Sequence, residues 1–232
     1  MNARPRFHDE LARLERELLG LGDLAARAVR AAVDALVAND DGRSERVIAG
    51  DDEIDDAYLG LDQGLLSLLA LQAPVAADLR LVSVLMHAGH HLERIGDQAV
   101  NVTKIQLVTR ELPSSATILQ QLEEMGVIVV GMVSTAMDAF RKRDLELCLG
   151  LPDLDDPVDR LNRNMHFEVA KLADDPGALE WGMHMNLVSR ALERVGDNAV
   201  DIGEQVAFLI TGEYREFTDA SHDVAPVGDG ER

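Results

Sequence analysis

The sequence predicts an all-α protein built as two tandem three-helix bundles. Three observations carry that expectation. Long proline-free stretches place apolar residues three and four apart, the spacing of one helix face. No stretch alternates apolar and polar residues as a half-buried strand would. Two short motifs also occur twice, in the same order, which marks a duplicated unit.

The elements follow from the breaks. Prolines stand at 5, 74, 113, 152, 157, 176 and 226, and a helix interior excludes proline because it lacks an N–H and clashes with the preceding turn. The first helix spans residues 8–38, with Leu11, Leu14, Leu18, Leu21, Ala25, Ala28 and Ala32 on its stripe. Asn39-Asp40-Asp41-Gly42 reads as a turn. The second helix covers residues 44–71, with Val47, Ile54, Tyr58, Leu61, Leu65 and Leu68. Pro74 ends it, and the third covers residues 75–109, with Leu81, Val84, Ala88, Leu92, Ile95, Ala99 and Val102. Pro113-Ser114-Ser115 is the next break, with Ser115 as the N-cap. The pattern then recurs over residues 117–141, a segment ending near Ala173, and residues 178–210. The chain thus divides into a first bundle at 1–111, a second at 112–212 and an acidic, flexible tail at 213–232.

Composition narrows the function. The 232 residues carry 22 Lys+Arg against 42 Asp+Glu, a net charge of −20, with 47% apolar and 3% aromatic residues. That apolar share supports a core. The acidity excludes nucleic acid and anionic membranes as partners, since both need an electropositive face. Scarce aromatics disfavour a β-sandwich or barrel. Cys148 is the only cysteine, so neither an intramolecular disulfide nor a cysteine-built zinc site arises. Residues 1–10 lack an apolar signal-type stretch, and no apolar run nears the roughly 20 residues that span a bilayer. The expectation is a cytoplasmic protein without membrane insertion.

The repeat carries the chemistry. Glu93-Arg94-Ile95-Gly96-Asp97 recurs as Glu193-Arg194-Val195-Gly196-Asp197, and Asp51-Asp52-Glu53-Ile54-Asp55 as Asp155-Asp156-Pro157-Val158-Asp159. Residues i and i+4 share a helix face, so Asp51/Asp55 and Glu93/Asp97 are paired acids. Their centres, 53 and 95, flank Pro74 equally; in the second copy 157 and 195 flank Pro176 equally. If each proline turns an antiparallel helix pair, two carboxylate pairs meet level on neighbouring helices. Four carboxylates together repel unless a cation intervenes, and hard cations favour oxygen ligands. Asn101 and Asp201, one turn further, extend the shell. On the helical wheel Glu93, Asp97 and Asn101 point away from the apolar stripe, which places the site in a surface groove. A single acid pair on an outer face is ordinarily just solvated; the doubled, level placement makes metal the competing reading.

Other candidates are weaker. His87 and His91 stand four apart, but Leu187 and Ala191 replace them in the second copy; Glu180 and His184 are a similar surface pair. Met183 and Met185 read as core filler. No Glu-x-x-His, Walker, Rossmann or Gly-x-Ser-x-Gly pattern occurs. Gly96 and Gly196 lie mid-helix at about 1 kcal/mol each, consistent with close approach of a backbone or ligand shell. Pro157 falls inside the second acid pair. Either Asp156 caps a helix that starts there, taking Asp155 off the face, or the helix is kinked.

The tandem Glu-Arg-Ile-Gly-Asp and Glu-Arg-Val-Gly-Asp motifs resemble the PhoU family of bacterial phosphate-signalling proteins. The stretches 46–55, 74–80 and 7–21 fit its pattern too, and the resemblance covers about residues 5–215. It implies two three-helix bundles with surface metal clusters. The ligands would be Asp51, Asp55, Glu93 and Asp97, then Asp155, Asp159, Glu193 and Asp197, holding divalent or trivalent ions of iron, zinc or manganese type. It also implies a homodimeric, non-enzymatic regulator. Such a regulator couples the ATPase subunit of a phosphate ABC transporter to a sensor histidine kinase and keeps the phosphate-starvation response off. The residues alone leave two alternatives: a metal-free helical adaptor docking a basic partner, and a carboxylate-metal enzyme, which lacks an evident general base.

Overall fold

The computed structural model describes residues 3–217. These residues form eight helices and no strand: α1 (Ala3–Ala38), α2 (Asp41–Ala49), α3 (Asp51–Gln72), α4 (Ala76–Thr109), α5 (Ala116–Lys142), α6 (Leu145–Leu149), α7 (Leu151–Ala170) and α8 (Pro176–Thr211). The first bundle is α1 with α2–α3 and α4; the second is α5 with α6–α7 and α8. The bundles are fused. α4 packs along α8 and α1 along α5, so four long helices share the centre and one continuous core runs through both units. Arg80 donates to the carbonyl of Leu209 while His91 meets Asn198, which fixes α4 and α8 as antiparallel neighbours.

The helix expected over residues 44–71 is two helices. Asp40 caps α2 by accepting from the Arg43 N–H at 2.9 Å, and the chain bends at Gly50 before α3. Gly150 makes the same break between α6 and α7. Both glycines keep near-helical dihedrals (φ −84° and −83°), so the apolar stripe runs on past them and periodicity does not register the break. The caps Asp40 and Asp144 are 104 residues apart, like Asp51 and Asp155, whereas the two break glycines are 100 apart, like Glu93 and Glu193. Asp51 therefore opens α3, while Asp155 lies four residues beyond the start of α7 at Leu151.

Pro74 sits in the α3–α4 turn, with Ala73 left-handed at φ 42°. Pro176 opens α8 behind its cap Asp175. Ser115 occupies the N-cap of α5 in extended conformation, without a side-chain cap bond. Pro157 stands inside α7, which starts at Leu151 instead of at Asp156. Asp155 thereby stays on the helical face with Asp159. Met185 is buried as expected, but Met183 is 61% exposed on the outer side of α8. Alone among the described helices, α5 has the length and composition to cross a membrane; its apolar side, including Leu122, Met125 and Val133, lies in the core. Residues 213–217 are non-helical and return along α8, where the Phe217 N–H donates to Glu204 at 2.6 Å. The rest of the expected tail, 218–232, lies outside the described residues.

Helix-interior glycines divide into two kinds. A Cβ on Gly126 would lie 2.7 Å from Val33, so the close packing of α5 on α1 requires glycine there. A Cβ on Gly20 or Gly60 would meet nothing within 4 Å. Gly20→Ala and Gly60→Ala should each stabilise the fold by about 0.5–1 kcal/mol. Gly126→Ala should destabilise it by about 1–3 kcal/mol through overpacking. Urea unfolding of the three variants checks both signs.

Candidate functional site

The α3–α4 and α7–α8 hairpins bring each predicted acid set together. In the first, Asp51 and Asp55 on α3 face Glu93 and Asp97 on α4. Burial raises the pKa of Asp51, and the charges of Asp55 and then Asp97 add to it against Lys104. Burial likewise raises Glu93, followed by Asp97, with His90 opposing and Asp55 and Asp51 adding. Each helix's pair thus feels the pair across the hairpin, as level placement about Pro74 and Pro176 requires. His90 Nδ1 stands 3.8 Å from Glu93 Oε2.

The second set is deeper. Glu193 is only 8% exposed, against the outer-face expectation. One of its oxygens accepts from Arg190, one turn earlier on α8. Its other oxygen, Oε2, is buried and has no hydrogen-bond partner among the described residues. Burial pushes the Glu193 carboxyl up to about 7; Asp197 adds to this, Arg190 opposes it, and Asp159 adds further. Gly196 does what close approach demands: a Cβ there would collide with the Asp155 carboxylate, so glycine lets that acid lie against α8. In the first copy, Gly96 instead accommodates Ile54, 3.0 Å from where its Cβ would be.

A pocket of about 360 Å³ lies over the second set, lined by Asp155, Asp159 and Asp197 together with Asp153, Asp156, Asp201, Glu204 and Phe217. Of the two suggested extensions, Asp201 joins this pocket and Asn101 is exposed. Asp153, Asp156 and Glu204 were not anticipated. The signal existed for Glu204, since Asp197, Asp201 and Glu204 are spaced i, i+4, i+7 on one face. His91 turns into the α4–α8 interface, with Nδ1 2.9 Å from Asn198 Oδ1 and 3.4 Å from Asp201 Oδ2; His87 is exposed.

Among the described residues, no three His, Cys, Asp or Glu side chains already close on one point as a finished metal cage. The donor set is nonetheless all oxygen, which suits hard cations. An unpartnered buried carboxylate oxygen is the feature a cation satisfies best. Glu193 Oε2 gives the second set, Asp155, Asp159, Glu193 and Asp197, that feature; the first set, Asp51, Asp55, Glu93 and Asp97, offers the same oxygen chemistry without it.

The sequence profile of the PhoU domain matches residues 18–105 and again 122–206, each match containing one complete acid set. The chain belongs to the PhoU family. The phosphate-specific transport system accessory protein PhoU homolog of Pseudomonas aeruginosa is 33% identical over 218 residues, 94% of this chain and 88% of that one. The homolog from Caulobacter vibrioides is 30% identical over 208 residues, 89% of this chain and 90% of its own. The crystal structure of PhoU from Pseudomonas aeruginosa superposes with a TM-score of 0.85 at 33% identity, covering 89% of this chain and 100% of that one. The phosphate transport system regulatory protein PhoU from Streptococcus pneumoniae gives 0.83 at 28% identity, covering 90% and 99%. The PhoU likeness extends over both bundles, so the paired hairpins are a feature of the whole fold.

Proposed function

We propose that this chain is a metal-binding regulator of phosphate uptake and phosphate-starvation signalling. It acts by binding, without catalysis. It links the ATPase subunit of a phosphate transporter to a sensor histidine kinase and holds the starvation response off while phosphate is plentiful. Membership of the PhoU family and relatives named accessory proteins of phosphate-specific transport support the regulatory half. The metal half rests on Glu193: among the described residues, a carboxylate with a buried, unpartnered oxygen, beside Asp197 on its own helix and facing Asp159 across the hairpin. A docking adaptor would expose its acids to a partner, and burying Glu193 serves no such contact. Deletion of the gene should raise expression of phosphate-uptake genes in phosphate-rich medium. Restoring the wild-type chain should silence them, and the Asp97→Ala plus Asp197→Ala chain should not. Unchanged expression on deletion contradicts the regulatory reading; full silencing by the double variant separates it from metal binding.

A further inference from the structure

A groove between α1 and the α2–α3 arm takes no part in either carboxylate set. At one end, on a chain of net charge −20, Arg27, Arg43 and Arg46 surround a pocket of about 230 Å³ with Leu24, Ala28 and Val47 in its wall. Arg43 is held by Asp34 at 3.3 Å and Asp40 at 3.8 Å. Among the described residues, Arg27 and Arg46 form no ion pair. The pocket shares Leu24, Arg27 and Glu53 with a second cavity of about 450 Å³ that continues to Arg13. From Arg13 to Ala31 along α1 the groove runs for about 27 Å at 1.5 Å per residue.

Gly20 of α1 and Gly60 of α3 both line this second cavity. Each gives up helix propensity, and among the described residues nothing beyond the helix's own backbone comes within 4 Å of where their Cβ atoms would stand. Gly22, Gly64 and Gly126 differ, since a side chain of this same protein fills the space beside each. Room for close backbone approach, on the walls of a long groove between two helices, is what a third helix needs. A small anion would leave most of that length bare.

We propose that this groove docks a helix of a partner protein whose apolar face carries carboxylates at one end. The unpaired guanidiniums of Arg27 and Arg46 receive those carboxylates through forked hydrogen bonds. The rest of the acidic surface turns such a partner away and steers it here. Glu53 lies where the two cavities meet, and Asp56 and Glu17 line only the second one; they oppose acid there and so set the direction of the bound helix. The inference stands apart from metal occupancy and from the identity of the partner in phosphate signalling.

The test is a displayed library of peptides of about 18 residues, long enough as helices to fill the groove. It is selected on the full chain and counter-selected on the Arg27→Glu plus Arg46→Glu variant. Enriched sequences should show helical apolar spacing with Asp or Glu at one end. The best synthetic peptide should bind about tenfold or more weakly to Arg27→Gln plus Arg46→Gln. It should also fail to bind Gly20→Leu plus Gly60→Leu, a variant whose circular dichroism and unfolding midpoint stay at or above wild type. The proposal is overturned by no enrichment, by enriched peptides without acids, by affinity unchanged by both variants, or by inorganic phosphate or ATP alone binding in a manner that the Arg→Gln pair abolishes. A peptide-free sedimentation change in that pair assigns the groove to a second copy and overturns it equally.

Discussion

Raising the pH from 4.5 to about 7 lowers the stability of the metal-free protein. In the unfolded chain Glu193 ionises near 4.5, and in the folded chain near 7. Between those values the folded state holds a proton that the unfolded state has released, so stability falls with pH across the window. Below the window both states are protonated and the loss is absent; above it both are ionised and the loss is complete. The move from 4.5 to about 7 corresponds to at most about 3 kcal/mol. Asp51, Glu93 and Glu204 are also raised and act in the same sense, whereas His91, lowered by burial, acts against them below its ordinary value of 6.5, so the Glu193 contribution is read as the difference between wild type and Glu193→Gln. Glu10 and Asp138 are lowered by Arg13 and Lys142, but both are exposed and screened. Glu193→Gln keeps the shape without the charge, so it should flatten the decline and make the protein more stable than wild type above the window. Urea unfolding in chelator at both ends of the window measures this. A wild-type stability that rises across it contradicts the account.

Cation binding should reverse that loss. The two donor sets each draw on two helices that separate on unfolding, so an ion held by the folded state alone stabilises it by mass action. At a hundredfold excess over Kd each site adds about 2.7 kcal/mol, or about 5 kcal/mol for two. For a chain of this size that is a rise of about 10–20 °C in Tm. Above about pH 7 the ion meets an ionised Glu193; below it, binding must first expel the proton. The stabilisation should therefore shrink as the pH falls through the window. Gly196→Ala should cut the effect at the second set, because the added methyl displaces the Asp155 carboxylate. The first set, where Gly96 faces Ile54, should be untouched.

Much of this architecture is legible in the residues. Pro74 and Pro176 punctuate two hairpins, and the acids equidistant from them do meet. What periodicity misses is the break at Gly50 and at Gly150, where near-helical dihedrals let the stripe continue through a bend. Pro157 left two readings open, and the helix runs through it: it stands in the seventh position of α7, counting from Leu151, where its missing N–H costs the Asp153 carbonyl an intrahelical bond. The burial of Glu193 is invisible to a wheel drawn for one helix. It arises because α8 is packed on by α4, α5, α6 and α7, and because Arg190 lies against the carboxylate. The contact of His91 with Asn198 depends on how the two bundles dock, which no within-repeat spacing encodes.

The central claim is that the paired carboxylates on the two hairpins hold metal ions. Elemental analysis of protein purified without chelator tests it most directly, with wild type set against Asp97→Ala plus Asp197→Ala. The account predicts at least stoichiometric iron, zinc or manganese-type metal in the wild type and its loss in the double variant. Substoichiometric metal in the wild type, or the same content in both proteins, contradicts it.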